Sequence, residues 1–196
     1  MSLNRWVILL AVPALVLASC SESPTSPNNS DNLIYNSGFR SGNSPSLAGW
    51  TITDTAWVKV VANAPLGSGS WSLWLAPQFG PAIGGLARTS VTGQSGRSVY
   101  TLSGWERNFA NGYWGEASVS QIRNGSSISY KSWQVNDTTW GPFAFFDTLD
   151  VLPTDTLVVG FSAASYAVFP VVVGGSVDTV SSGVVFNAPA LTKSGN

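Results

Sequence analysis

From Asn32 onward the apolar residues of this chain recur at every second position in short runs, and clusters of Gly, Asn, Ser or Pro divide one run from the next. A period of two sends alternate side chains to opposite faces of an extended backbone, so each run reads as a half-buried antiparallel strand. Strands are expected near 33–36, 48–53, 56–62, 71–76, 85–92, 98–107, 115–123, 127–135, 139–147, 156–163, 167–173 and 183–192. No segment carries the spacing of a long amphipathic helix. The 20 Gly and 11 Pro, with only 10% of residues charged, point the same way. Between 115–123 and 127–135 stands Asn124-Gly125, a pair that tolerates positive φ and predicts a tight hairpin. Evenly spaced strands over 32–196, without an internal repeat, imply an all-β domain built as a two-sheet antiparallel sandwich or jelly roll.

The segment before Asn32 has a different character. One positive side chain, Arg5, precedes a nearly unbroken apolar run over 6–18, too short to remain as a membrane span and typical of a signal peptide. The run ends in Leu17-Ala18-Ser19-Cys20, which resembles a bacterial lipobox. That resemblance implies cleavage before Cys20, lipidation of its thiol and an anchor in the cell envelope. Ser21 stands where Asp would resemble the signal for inner-membrane retention, so the outer membrane is expected if the host has one. The polar stretch 21–31 contains nothing to bury and reads as a tether, able to reach about 35 Å when extended. The expected organisation is a signal peptide at 1–19, lipidated Cys20 and tether at 20–31, and one domain at 32–196.

Composition excludes several functions. The chain has no His, so neither a Ser-His-Asp triad nor a His-containing metal site can form; its single Cys permits no internal disulfide and no Cys cluster. No cofactor is expected. Nine basic against ten acidic residues give a net charge of −1, which offers no attraction to a nucleic-acid backbone.

Several pieces of the strand-rich region fall in a recognisable order. They are Asn32-Leu33-Ile34-Tyr35-Asn36-Ser37-Gly38-Phe39 with Leu47-Ala48-Gly49-Trp50, then Ser98-Val99-Tyr100-Thr101-Leu102-Ser103-Gly104-Trp105. Thr139-Trp140 to Phe146, Asp155-Thr156-Leu157-Val158-Val159-Gly160-Phe161 and Val184-Val185-Phe186-Asn187-Ala188-Pro189-Ala190-Leu191 complete the series. Together they resemble galactose-binding-like jelly rolls, the fold of many carbohydrate-binding modules. The resemblance implies one core holding Phe39, Trp50, Tyr100, Leu102, Leu157, Val159 and Phe161, with Trp71 and Trp140 also structural. Members often hold a structural calcium through a Glu after the opening Phe and an Asp of the closing pair. Here those positions are Arg40 and Asn187-Ala188, so no metal is expected and Arg40 is expected to stand there as an ion-pair partner.

Of nine Trp, Trp6 lies in the leader, which leaves eight in the anchored chain. A sugar ring can stack on an exposed aromatic while polar neighbours bind its hydroxyls. Alternation puts Trp74 opposite Leu73 and Leu75, and puts Trp105 and Arg107 opposite Tyr100 and Leu102. The Gly-bounded segment 108–115 presents Tyr113 and Trp114, with Gln121 and Trp133 on adjacent strands. The expected glycan site is therefore Trp105, Arg107, Tyr113 and Trp114, joined by Gln121, Trp74 and Trp133. The same aromatics can equally be core packing.

Glycoside hydrolysis needs two facing carboxyls. Glu106 and Glu116 bracket the aromatic segment, and Asp147 and Asp150 lie close in sequence, but Glu106 falls on the core parity and none forms the alternating acidic strand of jelly-roll glucanases. No enzyme is expected. The apolar stretch 166–173, interrupted by Pro170, reads either as a core strand or as an edge docking another chain. Two functions follow: a surface-anchored, non-catalytic module that binds a polysaccharide or other glycan, or a structural or protein-interaction lipoprotein with no small ligand.

Overall fold

The computed structural model describes residues 31–76, 84–109, 113–135, 137–165 and 183–195, without the side chains of Tyr113 and Ser165. The expected leader, Cys20, the strand expected at 167–173 and residues 110–112 of the aromatic segment lie outside the described residues.

Among the described residues there are twelve strands: β1 (Arg40–Ser41), β2 (Ser44–Pro45), β3 (Thr51–Ile52), β4 (Val58–Val61), β5 (Ser72–Leu75), β6 (Leu86–Val91), β7 (Gly96–Asn108), β8 (Tyr113–Arg123), β9 (Ser126–Val135), β10 (Gly141–Val151), β11 (Thr156–Ser165) and β12 (Val184–Ser194). Beyond the small β1-β2 hairpin they form two five-stranded antiparallel sheets. Sheet I runs β10-β7-β12-β5-β4 and sheet II runs β3-β6-β11-β8-β9. The expected β-sandwich is the observed one. Arg123 pairs with Ser126 across the expected hairpin, where Asn124 and Gly125 both adopt positive φ (52° and 78°) as a primed turn requires.

Alternation fixes which side chains enter the space between the sheets. Along β7, Ser98, Tyr100, Leu102, Glu106 and Asn108 are buried; along β8, Ala117, Val119 and Gln121 are. The seven residues expected in one core all lie in it. Their aromatics run through the sandwich as a chain of ring contacts: Phe39 to Trp50 (5.3 Å), Trp50 to Phe161 (5.7 Å), Phe161 to Phe186 (4.5 Å) and Phe186 to Phe143 (6.1 Å). Offset and edge-on pairs of this kind add to the area they bury.

Residues 33–36 are not a strand. Asn32 instead ties the start of the domain to its end: its Oδ1 accepts from Ile34 N (3.0 Å) and Leu191 N (3.1 Å), and its Nδ2 donates to Pro189 O (3.2 Å). Asn36, at φ 54°, organises the next turn, donating to Ser46 O and Ala48 O while its own carbonyl accepts from Trp50 Nε1. These two Asn side chains replace ladder hydrogen bonds, which a pattern of apolar alternation does not reveal.

Along one edge the sandwich is closed by polar contacts. Ser129 of β9 donates to Asp147 of β10 (3.1 Å), and Trp133 Nε1 of β9 donates to Glu106 Oε1 of β7 (3.1 Å).

Candidate functional site

Outward-facing side chains of sheet II form an open trough of about 580 Å³. Strand register lays out its floor and walls. One row across the strands is Thr51, Arg88, Gly160, Ser118 and Ser132; the next on one side is Ser90, Val158, Ser120 and Tyr130. On the other side lie Leu86, Ser162, Glu116 and Gln134. Small residues of β11 and β8 make the middle low, while Arg88 stands on one flank and Tyr130, 56% exposed, on the other. Gly160 matters here: a Cβ built on it would come within 2.9 Å of Ser118 Oγ and 3.8 Å of Arg88 Cγ, in the lowest part of the trough.

Three strand spacings of about 4.8 Å separate Arg88 from Tyr130, so the trough is about 14 Å across. Serine hydroxyls at 90, 118, 120, 127 and 162 line it, each able to donate and accept. Glu116 is hydrogen-bonded by the Tyr130 hydroxyl, and burial raises its pKa while a hydrogen bond from Ser132 works the other way. Among the described residues Glu116 is the one carboxylate in the lining.

The residues expected to gather at a glycan site are distributed differently. Trp105 and Arg107 face outward from β7 in sheet I, whereas Trp114 faces outward from β8 in sheet II; the two groups lie on opposite outer faces. Trp114 belongs to the strand and not to a loop, opposite Ala164 and one row beyond Ser162 and Glu116, at the end of the trough. Tyr113 pairs with Ser165 as the first residue of β8, and its side chain lies outside the described residues. Arg107 is engaged locally, stacked 4.5 Å over the Phe109 ring and donating from Nε to Thr138 O (3.1 Å).

Gln121 corrects the expectation outright. It shares parity with Ala117 and Val119, is only 3% exposed, and donates to Asp155 Oδ2 (2.7 Å) and Asp150 O (3.0 Å). Asp155 also accepts from Arg123 at 2.8 and 2.9 Å and from Leu152 N, and the Arg123 guanidinium foremost holds its carboxyl well below the usual range. That knot pins the turn between β10 and β11.

Trp74 faces outward as its parity predicts but is 7% exposed, because a second small apolar layer covers it. Val61, Ala76 and Val185 surround it, Trp57, Phe109 and Trp140 pack against this cluster, and Lys59 sits 5.6 Å above its ring. Trp133 lies on the inner side of edge strand β9, half-exposed and bonded to Glu106.

A pattern of tryptophan does not mark Tyr130, Arg88 or the serines of the trough. For Tyr130 and the serines of β8 and β9 the sequence carries a signal in 115–135, where hydroxyl residues alternate with apolar ones at positions 117–120, whereas Arg88, Ser90 and Ser162 lie outside that stretch.

Among the described residues the remaining carboxylates do not pair. Glu106 is buried on the inner side of sheet I, where burial pushes its pKa to about 7, against the Trp133 hydrogen bond and with the Asp137 charge. Glu116 lies on the outer side of sheet II, so the two cannot face one ligand. Among the described residues no group of three His, Cys, Asp or Glu side chains lies together. The residues at the family's calcium position do not fit that ion. Arg40 is exposed and, contrary to expectation, makes no ion pair among the described residues, whose one ion pair is Arg123–Asp155. Asn187 turns its amide nitrogen to Trp71 O and Ser72 Oγ; its unpartnered Oδ1 falls far short of the about six to eight oxygens calcium takes.

No family model matches the chain, and no curated protein matches it. Solved structures do. The chain is similar to the carbohydrate-binding module TmCBM61, solved in complex with β-1,4-galactotriose, at 16% identity and a TM-score of 0.54, covering 83% of this chain and 99% of that one. It is also similar to the enzymatically active domain of tailspike protein 4 of bacteriophage CBA120 (16% identity, TM-score 0.59), but spans only 21% of that chain. An arabinose-bound α-L-arabinofuranosidase, MgGH51, matches at 15% identity and a TM-score of 0.53 over 83% of this chain and 26% of its own. At these identities the likeness is one of fold: the domain is a jelly-roll sandwich of the kind carbohydrate-binding modules have.

Proposed function

We propose that residues 32–196 form a non-catalytic module that binds a glycan chain along the trough of sheet II. The observation that carries this is the trough itself: about 580 Å³, open, with Gly160 and serine hydroxyls set among the aliphatic Leu86, Ile122 and Val158 beside Tyr130. Its volume is in the range of small-molecule sites, and its openness suits a chain that continues beyond it. A sugar's hydroxyls find donors and acceptors in the serines, and its apolar ring face finds Tyr130, with Trp114 at the trough's end. The non-catalytic reading is supported by the lining holding a single carboxylate among the described residues, because hydrolysis employs a facing pair. Anchoring through Cys20 is part of the same proposal and rests on Leu17-Ala18-Ser19-Cys20; in Cys20→Ala cells the protein should leave the membrane fraction, and its retention there would discard the anchor.

The direct test is calorimetric titration of soluble polysaccharides into wild type and Gly160→Leu. The new side chain projects into the trough and meets only the rotatable Ser118 hydroxyl at close range. Binding should disappear while the circular dichroism spectrum stays that of the parent. Undiminished binding would place the ligand elsewhere.

A further inference from the structure

Among the described residues the trough holds one charge without a counter-charge. Glu116 is engaged by Tyr130 and Ser132. Arg88, exposed in the central row, makes no ion pair among the described residues. Gly160 beside it carries no side chain, so the flank of Arg88 facing the floor is open, with Ser118 across the gap. Two strand spacings, about 10 Å, separate it from Glu116. A neutral sugar would use this guanidinium only as a hydroxyl donor. A planar carboxylate would use its fork in full, with two parallel charge-assisted hydrogen bonds.

Resting on the glycan-binding reading, we infer that Arg88 makes the trough selective for an acidic glycan, seating a uronate ring over Gly160 with its carboxylate on the Arg88 guanidinium and its hydroxyls on Ser118 and Ser120. The register supplies the geometry. Arg88, Gly160 and Ser118 are successive cross-strand neighbours, so one ring placed over the glycine reaches both flanks. The next ring along the row of Ser120 and Tyr130 has an aromatic to rest on.

The experiment compares polygalacturonate, neutral galactan and sulfated galactan on the full-length protein, as wild type, Arg88→Gln and Arg88→Lys, at low and high salt. Wild type should prefer polygalacturonate over neutral galactan by about tenfold or more, the size of a charge-assisted pair. Arg88→Gln should bring that ratio to about one, Arg88→Lys should leave an intermediate ratio because the charge survives without the fork, and added salt should erode the preference. Thermal melting of both variants controls for folding, and Arg88 is exposed enough that neither should shift it. Equal affinity for the acidic and neutral polymers, or a ratio untouched by Arg88→Gln, overturns the inference while leaving the glycan-binding reading in place. Tighter binding of sulfated galactan than polygalacturonate overturns the carboxylate assignment. Failure of all three polymers overturns the inference and the reading beneath it.

Discussion

The outer faces of the two sheets are built from opposite materials. On sheet I, Trp74 is covered by Trp57, Phe109 and Trp140, and Trp105 and Arg107 lie half-buried on the same face. On sheet II the trough is lined by Gly160, serines and the aliphatic Leu86, Ile122 and Val158, with Tyr130 at its margin and Trp114 beyond its end. The aromatic face is the packed one and the hydroxyl face is the open one. A tryptophan that faces away from the main core of a sandwich has about the area of two aliphatic side chains to hide, and loops such as 54–57 and 137–140 fold over it. A serine has nothing to hide and leaves the surface concave. Richness in tryptophan therefore marks a second packing layer in this molecule, and the ligand-shaped surface is found where side chains are small.

The comparison breaks first at Trp74. If it belongs to a packed layer, Trp74→Ala should cost about 3–5 kcal/mol in chemical denaturation, as deeply buried aromatics do, with glycan affinity of the surviving folded protein unchanged. A loss below about 1 kcal/mol would mean that the layer is loose and the face is available, reversing the assignment of the two faces.

The edge that joins the faces is tested by pH. Glu106 is 3% exposed with Oε2 unpartnered, and its pKa rises from 4.5 in the unfolded chain to about 7 in the fold. Between those values the folded protein holds more protons than the unfolded one, so this group's contribution to stability is intact below about pH 4.5 and declines as pH rises through about 7. In Glu106→Gln the acceptor for Trp133 is kept and the titration is gone. The wild-type minus variant difference in unfolding free energy should drift by about 3 kcal/mol against the wild type from pH 4.5 to 8. A flat difference curve would show that the edge opens enough to hydrate the carboxylate.

Tyr130 sharpens the other face. Removing a stacking aromatic from an exposed position should weaken polysaccharide binding by about 1–3 kcal/mol, by analogy with bases stacked on aromatics, with stability moving by no more than about 0.5 kcal/mol. The reverse pattern, unchanged affinity with marked destabilisation, would make Tyr130 a structural clamp on Glu116.

How much of this was legible in the sequence follows from what alternation encodes. It places the core correctly from Phe39 to Phe161, because burial between two sheets and period two are the same fact stated twice. It places Trp74 on the right face and leaves its exposure unread, since alternation does not record what a loop later lays over a face. Gln121 is legible in part: its parity with Ala117 and Val119 puts it inside, while the partner that makes burial tolerable, Asp155, is 34 residues away. The gathering of Trp105 with Trp114 failed for a related reason. Strands consecutive in sequence, β7 and β8, belong to different sheets, so residues close along the chain face opposite ways.

Arg107 gives the smallest and most discriminating effect. Its position beside Trp105 marks it from sequence as a sugar contact, whereas the structure spends its guanidinium on the Phe109 ring at 4.5 Å and on Thr138 O at 3.1 Å. A cation held over an aromatic at a partly exposed site is worth about 0.5–1 kcal/mol, and the hydrogen bond to a backbone carbonyl adds a similar amount at most. Arg107→Ala should therefore lower stability by about 1 kcal/mol, read as a small shift in the denaturation midpoint at constant slope, with polysaccharide affinity unaltered. Both halves of that outcome are needed. A drop in affinity of the size expected for Tyr130, with no change in midpoint, would bring the ligand to sheet I and make its aromatic layer the binding face after all.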